Sequence, residues 1–320
     1  MTEKQVSIII VNYNTKELTK KAIQAVFDKT EGVEYEIIVV DNDSKDGSAE
    51  ELKKTFQDKI TIIEPKENLG FGRANNLGMK QAQGKYIFLL NSDTELINNA
   101  IKIFYDYMEQ NEQVGVCGGN LYNINYVPEE SYVMYTDNII SYFVYTYIAI
   151  FYHYFYKLTK KRKNYVNFNY SGKIKQVGYI SGADMFIRQT ALEKAGLFDE
   201  NIFMYFEDGD LNFRIRNCGY SIMSVPQAKI FHYLSKSSTD EKQKFKIAMN
   251  GAYYFYFKYF KWKTYFIYLH MNITLIRVAI TSLIILFNKN KFQLFVDFIR
   301  INKETYLEQK KIYCNRKLEI

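Results

Sequence analysis

Proline and tryptophan are nearly missing from this chain: three Pro and one Trp in 320 residues. With so few prolines and no Pro/Gly/Ser-rich linker, no domain boundary is marked. The length fits one large domain with appendages. Cysteine is scarce as well. Cys117, Cys218 and Cys314 stand far apart with no CxxC pair. That argues against a disulfide framework or zinc knot and fits a reducing compartment. No H-E-x-x-H pattern, no G-x-x-x-x-G-K-[ST] loop, no Ser-His-Asp order and no internal repeat occurs. The apolar run of MTEKQVSIII is short and is expected to start a strand, not to serve as a leader peptide. Net charge is +7, yet no segment forms a nucleic-acid-binding arm, so no nucleic-acid partner is expected.

What is abundant is aromatic: 29 Tyr and 24 Phe. Such rings suit a boundary between water and something apolar. A composition biased towards Lys, Asn, Tyr and Ile accounts for part of the excess. IISYFVYTYIAIFYHYFY at 139–156 is uncharged and is followed by the dense basic run KLTKKRK at 157–163. That run reads either as a solvated loop or as a contact for anionic lipid. YFIYLHMNITLIRVAITSLIILF at 265–287 is long enough to span a membrane but carries His270, Asn272 and Arg277.

The first third alternates regularly. VSIIIV (6–11), EIIVVDNDS (36–44), a short run at 60–63 and YIFLL (86–90) read as strands. Between them, Leu18, Ala22, Ile23, Val26 and Phe27 recur at helical spacing after Thr15, a second helix is expected around 48–57, and ENLGFGRANNLG leads into a third. This βαβαβαβ order predicts a doubly wound α/β domain. Asn12, Asp41 and Asn91 then fall at strand ends on one edge, where such sheets bind ligands.

Four groups carry chemistry. Asp93, after a buried strand, suits Mg²⁺ or Mn²⁺; the competing reading is the N-cap of a following helix. Asp41 could accept hydrogen bonds from a ribose or base, or close a turn. Gly70, Gly72 and Gly78 only loosely match a dinucleotide fingerprint, but the loop could bring N–H groups and Arg73 to phosphates. Glu207, Asp208 and Asp210 lie between FMYF and LNFRIR. Apolar surroundings would raise a carboxylate's pKa and make it a better general base; acids starting a helix are the alternative.

Taken in order, VSIIIVNYN, IIVVDNDSKDGS, NLGFGRANNLG, YIFLLNSDTEL, SGADMFIR and FMYFEDGDLNFRIRNCGYSI resemble family 2 glycosyltransferases of the GT-A fold. The wording is closest to the rhamnosyltransferase-like branch, and the likeness covers about residues 5–235. The resemblance implies an inverting transferase. Val11, Asn12, Tyr13, Asp41 and Asn42 would hold the nucleoside. Arg73 and Asn76 would lie near the phosphates. Asn91-Ser92-Asp93 stands in the place of the DXD motif, with Asn91 replacing its first acid. Asp208 would be the catalytic base, beside Glu207. His232 would join Asp93 at a divalent metal. Gly182 and Ala183 would shape the acceptor pocket.

The expected architecture is therefore a GT-A catalytic domain over 1–240, a mostly parallel sheet with helices on both faces. Its donor half is about 1–118 and its acceptor half about 119–240, with an aromatic insert at about 132–165. A C-terminal helical, aromatic-rich extension over 241–320 is expected to bind membrane or form a homodimer. The expected donor is a nucleotide sugar, first dTDP-rhamnose. The expected acceptor is a saccharide, lipid-linked, in cell-surface polysaccharide synthesis. The protein is expected to be cytoplasmic and peripheral on the inner face of the cell membrane, against anionic lipid. The alternatives are a nucleotide-sugar-binding or scaffold subunit and, less favoured, a sugar nucleotidyltransferase.

Overall fold

The structure is a computed structural model that describes residues 4–134, 167–233, 240–284 and 288–318. The aromatic segment 139–156 and the basic run 157–163 lie outside the described residues. Two compact units divide the chain. One holds residues 4–134, 167–200 and 207–233; the other holds 201–206, 240–284 and 288–318.

The first unit is built on a nine-stranded sheet. Strand β1 (Val6–Asn12) pairs in parallel with β2 (Tyr35–Asp41) and with β4 (Tyr86–Leu90); β2 pairs in parallel with β3 (Thr61–Ile63). The apolar runs of β1, β2 and β4 are buried on both faces, whereas β3, at the edge of the sheet, is partly exposed. In β1, Val6, Ile8 and Ile10 enter one core, while Ile9 enters the other. Burial of each such side chain stabilises the fold by about 1.5–3 kcal/mol. Helices α1 (Lys16–Lys29), α2 (Ser48–Phe56) and α4 (Ala100–Glu109) supply Ala22, Ile23, Val26, Leu52, Phe56 and Phe104 to the first core. Helix α3 (Gly70–Gln81) lies against the other. The helical spacing seen in the sequence is the reason these faces are apolar.

Beyond β4 the sheet is mixed. β5 (Thr94–Leu96), β6 (Val114–Tyr122), β8 (Lys175–Gln176), β10 (Asp184–Arg188) and β11 (Ser221–His232) complete it, and β7 (Tyr132–Val133) pairs with β9 (Tyr179–Ile180) separately. β10 inserts between β4 and β6, antiparallel to both. β11 is parallel to β6 and antiparallel to β5 and β8. The sheet is thus mixed: β1, β2, β3 and β4 form its parallel part, and antiparallel pairings enter through β10, β5 and β8. An apolar run such as DMFIR, buried along its whole length, carries no mark of strand direction. Helices α5 (Gln189–Ala195) and α6 (Glu207–Asn217) cover the second core.

The second unit is helical: α7 (Glu241–Phe260), α8 (Thr264–Ile284) and α9 (Lys289–Leu318). Tyr253, Phe257 and Tyr306 form its buried cluster, and Tyr306 stacks on Tyr268 at 4.2 Å. The strap 201–206 belongs to this unit.

Candidate active site

Three parallel strands end on one edge of the first unit, and their polar ends are tied to each other. Asn12 is fully buried. Its amide nitrogen donates to Asp41 Oδ2 at 3.1 Å and Ser44 Oγ at 2.9 Å, and its oxygen accepts from Thr15 at 2.8 Å and Thr19 at 2.6 Å. Thr15 Oγ1 and Ser92 Oγ are hydrogen-bonded at 2.9 Å. A continuous network thus runs from the end of β4, through β1, to the end of β2. Thr15, expected from sequence to cap α1, stands at its N-cap position but makes no side-chain cap bond, and its hydroxyl serves this network instead. Thr19 carries no role in the sequence reading, and the hydroxyl and amide density of NYNT and DNDS was the signal available.

This geometry places the expected nucleoside residues unequally. Tyr13 is half exposed at the edge, and Val11 is partly covered. Asp41 is buried, and its Oδ1 accepts the Ser44 N–H at 2.8 Å. Asn42 is buried and directed inward. Its amide donates to Asn68 Oδ1 and Gly70 O and accepts from the Leu69 N–H, which pins the loop before α3. Asn76 is also committed internally. It accepts from the Phe198 N–H and donates to Phe198 O, both at 3.0 Å, so its amide acts as a backbone clamp. Arg73 differs: its Nε is buried without a partner, and an anionic oxygen would satisfy it.

Asp93 does not cap a helix. The residues after it form β5, and α4 begins only at Ala100, capped by the Asn99 side chain. The Asp93 carboxylate instead lies 3.4 Å from His232 Nε2 at the end of β11. Pairing of β5 with β11 sets Thr94 opposite His232, and the Tyr233 N–H donates to Asp93 O. Asn91 is held by its backbone: its N–H donates to Ala183 O and its carbonyl accepts from Thr94. An oxygen and a nitrogen donor side by side fit Mn²⁺ or Mg²⁺, which leave further positions for phosphate oxygens and water. Among the described residues no group of three or more His, Cys, Asp or Glu forms a metal cage.

Glu207 and Asp208 start α6. Asp208 Oδ1 accepts the Gly209 N–H at 2.7 Å, and Oδ2 accepts the Gly182 N–H at 3.3 Å. Burial pushes the Asp208 carboxyl above the usual aspartate range despite these two donors. Glu207 is buried with Oε2 unpartnered. Its burial first, and the Asp208 charge second, push it up to about 8. Asp210, the third acid, is fully buried and ion-paired with Arg214 Nε at 2.8 Å, a structural role.

Gly182 and Ala183 are both buried, so neither offers side-chain surface to an acceptor. Any part they take in shaping an acceptor pocket runs through their backbone, which binds Asp208 and Asn91. Gly182 instead serves Asp208 directly through its N–H, and a Cβ there would lie 2.9 Å from the Phe71 ring. Asp184 was missed in sequence. It is completely buried, its Oδ2 accepts the Gly119 N–H, and its pKa is raised well above the normal value by burial.

Comparison with known proteins accords with this geometry. The chain is 29% identical over 118 residues to the poly(ribitol-phosphate) beta-N-acetylglucosaminyltransferase TarP of Staphylococcus aureus, covering 36% of each protein. It is 39% identical over 62 residues to an N-acetylglucosaminyl-diphospho-decaprenol L-rhamnosyltransferase of Mycobacterium tuberculosis, covering 19% of this chain and 20% of that protein. The chain spans less than half the length of the curated relatives it matches. Among solved structures, S. aureus TarS 1-349 aligns over 97% of this chain and 91% of its own, with TM-score 0.51 and 14% identity. GalNAc-T7 with UDP, GalNAc and Mn²⁺ aligns over 80% of this chain and 50% of its own, with TM-score 0.53 and 14% identity. These likenesses show the GT-A fold. The family model for glycosyl transferase family 2 matches residues 7–177, more than half of the sequence, and the chain belongs to that family.

Proposed function

We propose that this protein transfers a sugar from a nucleotide-sugar donor to a hydroxyl group of a saccharide acceptor in cell-surface polysaccharide synthesis. The observation that carries the reading is the Asp208 carboxylate. Two backbone N–H groups fix it, and burial raises its basicity, the two properties a general base needs. Asp208 takes the proton of the acceptor hydroxyl as its oxygen forms a bond to the anomeric carbon. The bond from that carbon to the diphosphate breaks, and the nucleoside diphosphate leaves from the opposite face with inversion. Arg73, through its unpartnered Nε, binds a phosphate oxygen. Asp93 and His232 would hold a divalent cation, which when bound neutralises charge on the departing diphosphate. Asp41 and Tyr13, at the ends of β2 and β1, would contact the nucleoside.

The finer assignments belong to the same proposal: dTDP-rhamnose as the first donor to try, a lipid-linked acceptor, and a peripheral position on the inner face of the cell membrane. A second reading, a donor-binding subunit without turnover, is favoured by Asn91 in place of an acid. Incubating the protein with a panel of nucleotide sugars and saccharide acceptors, with release of nucleoside diphosphate and product as readout, separates the two. The expected result is donor-dependent product, with Asp208→Asn reducing turnover by about 10²–10⁴-fold while nucleoside diphosphate still binds. Near-normal turnover in Asp208→Asn removes the base assignment. Donor binding with no product for any pair supports the non-enzymatic reading.

A further inference from the structure

Helix α8 is apolar on its outside and partly polar on its inside. Facing inward are Thr264, His270 and Ser282, all buried, together with Ile267, Leu275 and Ala279. Facing outward are Phe266, Leu269, Ile273, Ile276, Ile280 and Leu283, each 37–57% exposed. These six follow one another at steps of 3, 4, 3, 4 and 3 residues, so they form one continuous stripe that slants slowly around the helix. The stripe runs for about 26 Å at 1.5 Å per residue. Trp262, in the single turn just before α8, lies with its ring 5.9 Å from that of Phe266 and is 69% exposed. A continuous exposed apolar stripe of this size marks a contact surface.

Charge identifies the occupant. From Lys242 to Val296 the sequence has nine Lys or Arg residues and not one Asp or Glu. Lys261, Lys263 and Arg277 are exposed beside the stripe. The 3–4 spacing also suits a coiled coil, but a second copy would bring only the same cations to the seam. No acid on either strand would flank Lys263 or Arg277, whereas stable seams place opposite charges there. An anionic bilayer offers apolar depth beneath a negative surface, and it matches both features. Spanning fits less well than lying flat. Glu241–Leu283 is long and apolar enough to cross a membrane by length and composition. Crossing, however, would carry Arg277, Asn272 and Thr274 into the hydrocarbon, where a central Arg is costly. Lying flat puts the stripe among the acyl chains and lets Arg277 and Lys263 extend to the headgroups. Trp262 between Lys261 and Lys263 has the composition of a membrane–water boundary.

We infer that α8 lies in the surface of an anionic phospholipid bilayer, with the Phe266–Leu283 stripe buried and the flanking Lys and Arg on the headgroups. This names the surface by which the proposed enzyme would sit on a membrane, and its test contains no sugar donor or acceptor. The full chain is mixed with vesicles of phosphatidylcholine alone or with phosphatidylglycerol, floated through a density gradient, and sized by sedimentation velocity. Two variants accompany it, Ile273→Ser with Ile276→Ser, and Lys261→Glu with Lys263→Glu. Both replace exposed side chains, and circular dichroism checks that each stays folded. Wild type should float with the anionic vesicles only. Each double variant should partition at least tenfold less, and high salt should release wild type. Flotation of the stripe variant like wild type overturns the proposal. So does wild type that stays at the bottom, whether as a monomer or as a dimer that the stripe variant splits.

Discussion

Replacing Glu207 by Gln should change how the stability of this protein depends on pH. Glu207 is 6% exposed, its Oε2 has no partner, and its pKa is pushed up to about 8 by burial and by Asp208. An unfolded glutamate titrates near 4.3. Between these values the folded chain keeps a proton that the unfolded chain has released. Stability from this group is therefore fully present below pH ~4, falls as pH rises, and levels off above about 8. The slope approaches ~1.4 kcal/mol per pH unit, so the loss between pH 5 and 8 is on the order of 3–4 kcal/mol. Gln has the same shape and does not titrate. Its buried amide adds an offset of either sign, but that offset is constant with pH, so the slope is the diagnostic. Calorimetric melts at pH 5, 6, 7 and 8 and constant ionic strength supply the comparison. Fluorescence would watch the wrong unit, because the single Trp262 belongs to the helical one. The gap between Glu207→Gln and wild type should move steadily in favour of the variant as pH rises. Parallel profiles would refute the reasoning, and Glu207 would then be ionised and solvated in the folded protein.

Other substitutions separate neighbouring roles. Asp93→Ala and His232→Ala should each weaken nucleoside diphosphate binding in the presence of Mn²⁺ and leave binding in chelator unchanged; an equal loss in chelator would mean that the pair holds no cation. Asn76→Ala strands the N–H and C=O of Phe198 and should cost about 1–3 kcal/mol of stability with donor affinity intact. A fall in donor affinity at unchanged stability would return Asn76 to the phosphates. Gly251→Ala places a Cβ 2.2 Å from the Tyr205 carbonyl oxygen, an overpacking expected to cost about 1–3 kcal/mol. A thermal melt of the helical unit identical to wild type would show that the strap is free to move there.

Periodicity located the elements of the first unit because β1, β2 and β4 are uninterrupted apolar runs and α1 repeats its apolar face at helical spacing. It was blind to strand direction, which is why β10 between β4 and β6 makes the sheet mixed. It was equally blind to which way an asparagine points. Asn12, Asn42 and Asn76 are residue types that suit a nucleotide, a turn or a clamp, and only the fold reveals their partners at Asp41, Leu69 and Phe198. The closeness of Asp93 and His232, 139 positions apart, rests on the pairing of β5 with β11, which no local pattern encodes. Family resemblance anticipated it. Ala183 is 2% exposed, and its carbonyl holds the Asn91 N–H, a backbone contact that no motif spells out. In α8 the outward stripe was hidden because Tyr265, itself 47% exposed, and Tyr268, stacked on Tyr306, look alike in sequence and blur any single apolar side.

The strongest pointer to function is where the fold tolerates local cost. Tyr205 and Phe206 both take left-handed backbone angles, φ 67° and 72°, which L side chains adopt at some expense. Glu207 follows with an unpartnered buried oxygen, and Asp208 with a raised pKa. Four consecutive residues thus carry unfavourable features of separate kinds, of order 1–3 kcal/mol for each strained backbone position. Ordinary helix starts do not look like this. A Gly or Asn at 205 and 206 and a solvated acid at 207 would relieve most of it. Such strain persists only where surrounding structure over-determines it, and the surroundings here do so. The Gly182 and Gly209 amides fix Asp208, the Asn76 clamp fixes Phe198, and the strap that precedes Glu207 packs with the helical unit, its Phe206 ring 5.9 Å from that of Phe255. At the other strand ends, Asn12, Asp41 and Thr15 satisfy each other and leave little unpaired. The contrast separates scaffold from chemistry. The network across β1, β2 and β4 is what a rigid floor requires, and the strained run 205–208, with its buried Glu207, suits the base proposed at Asp208.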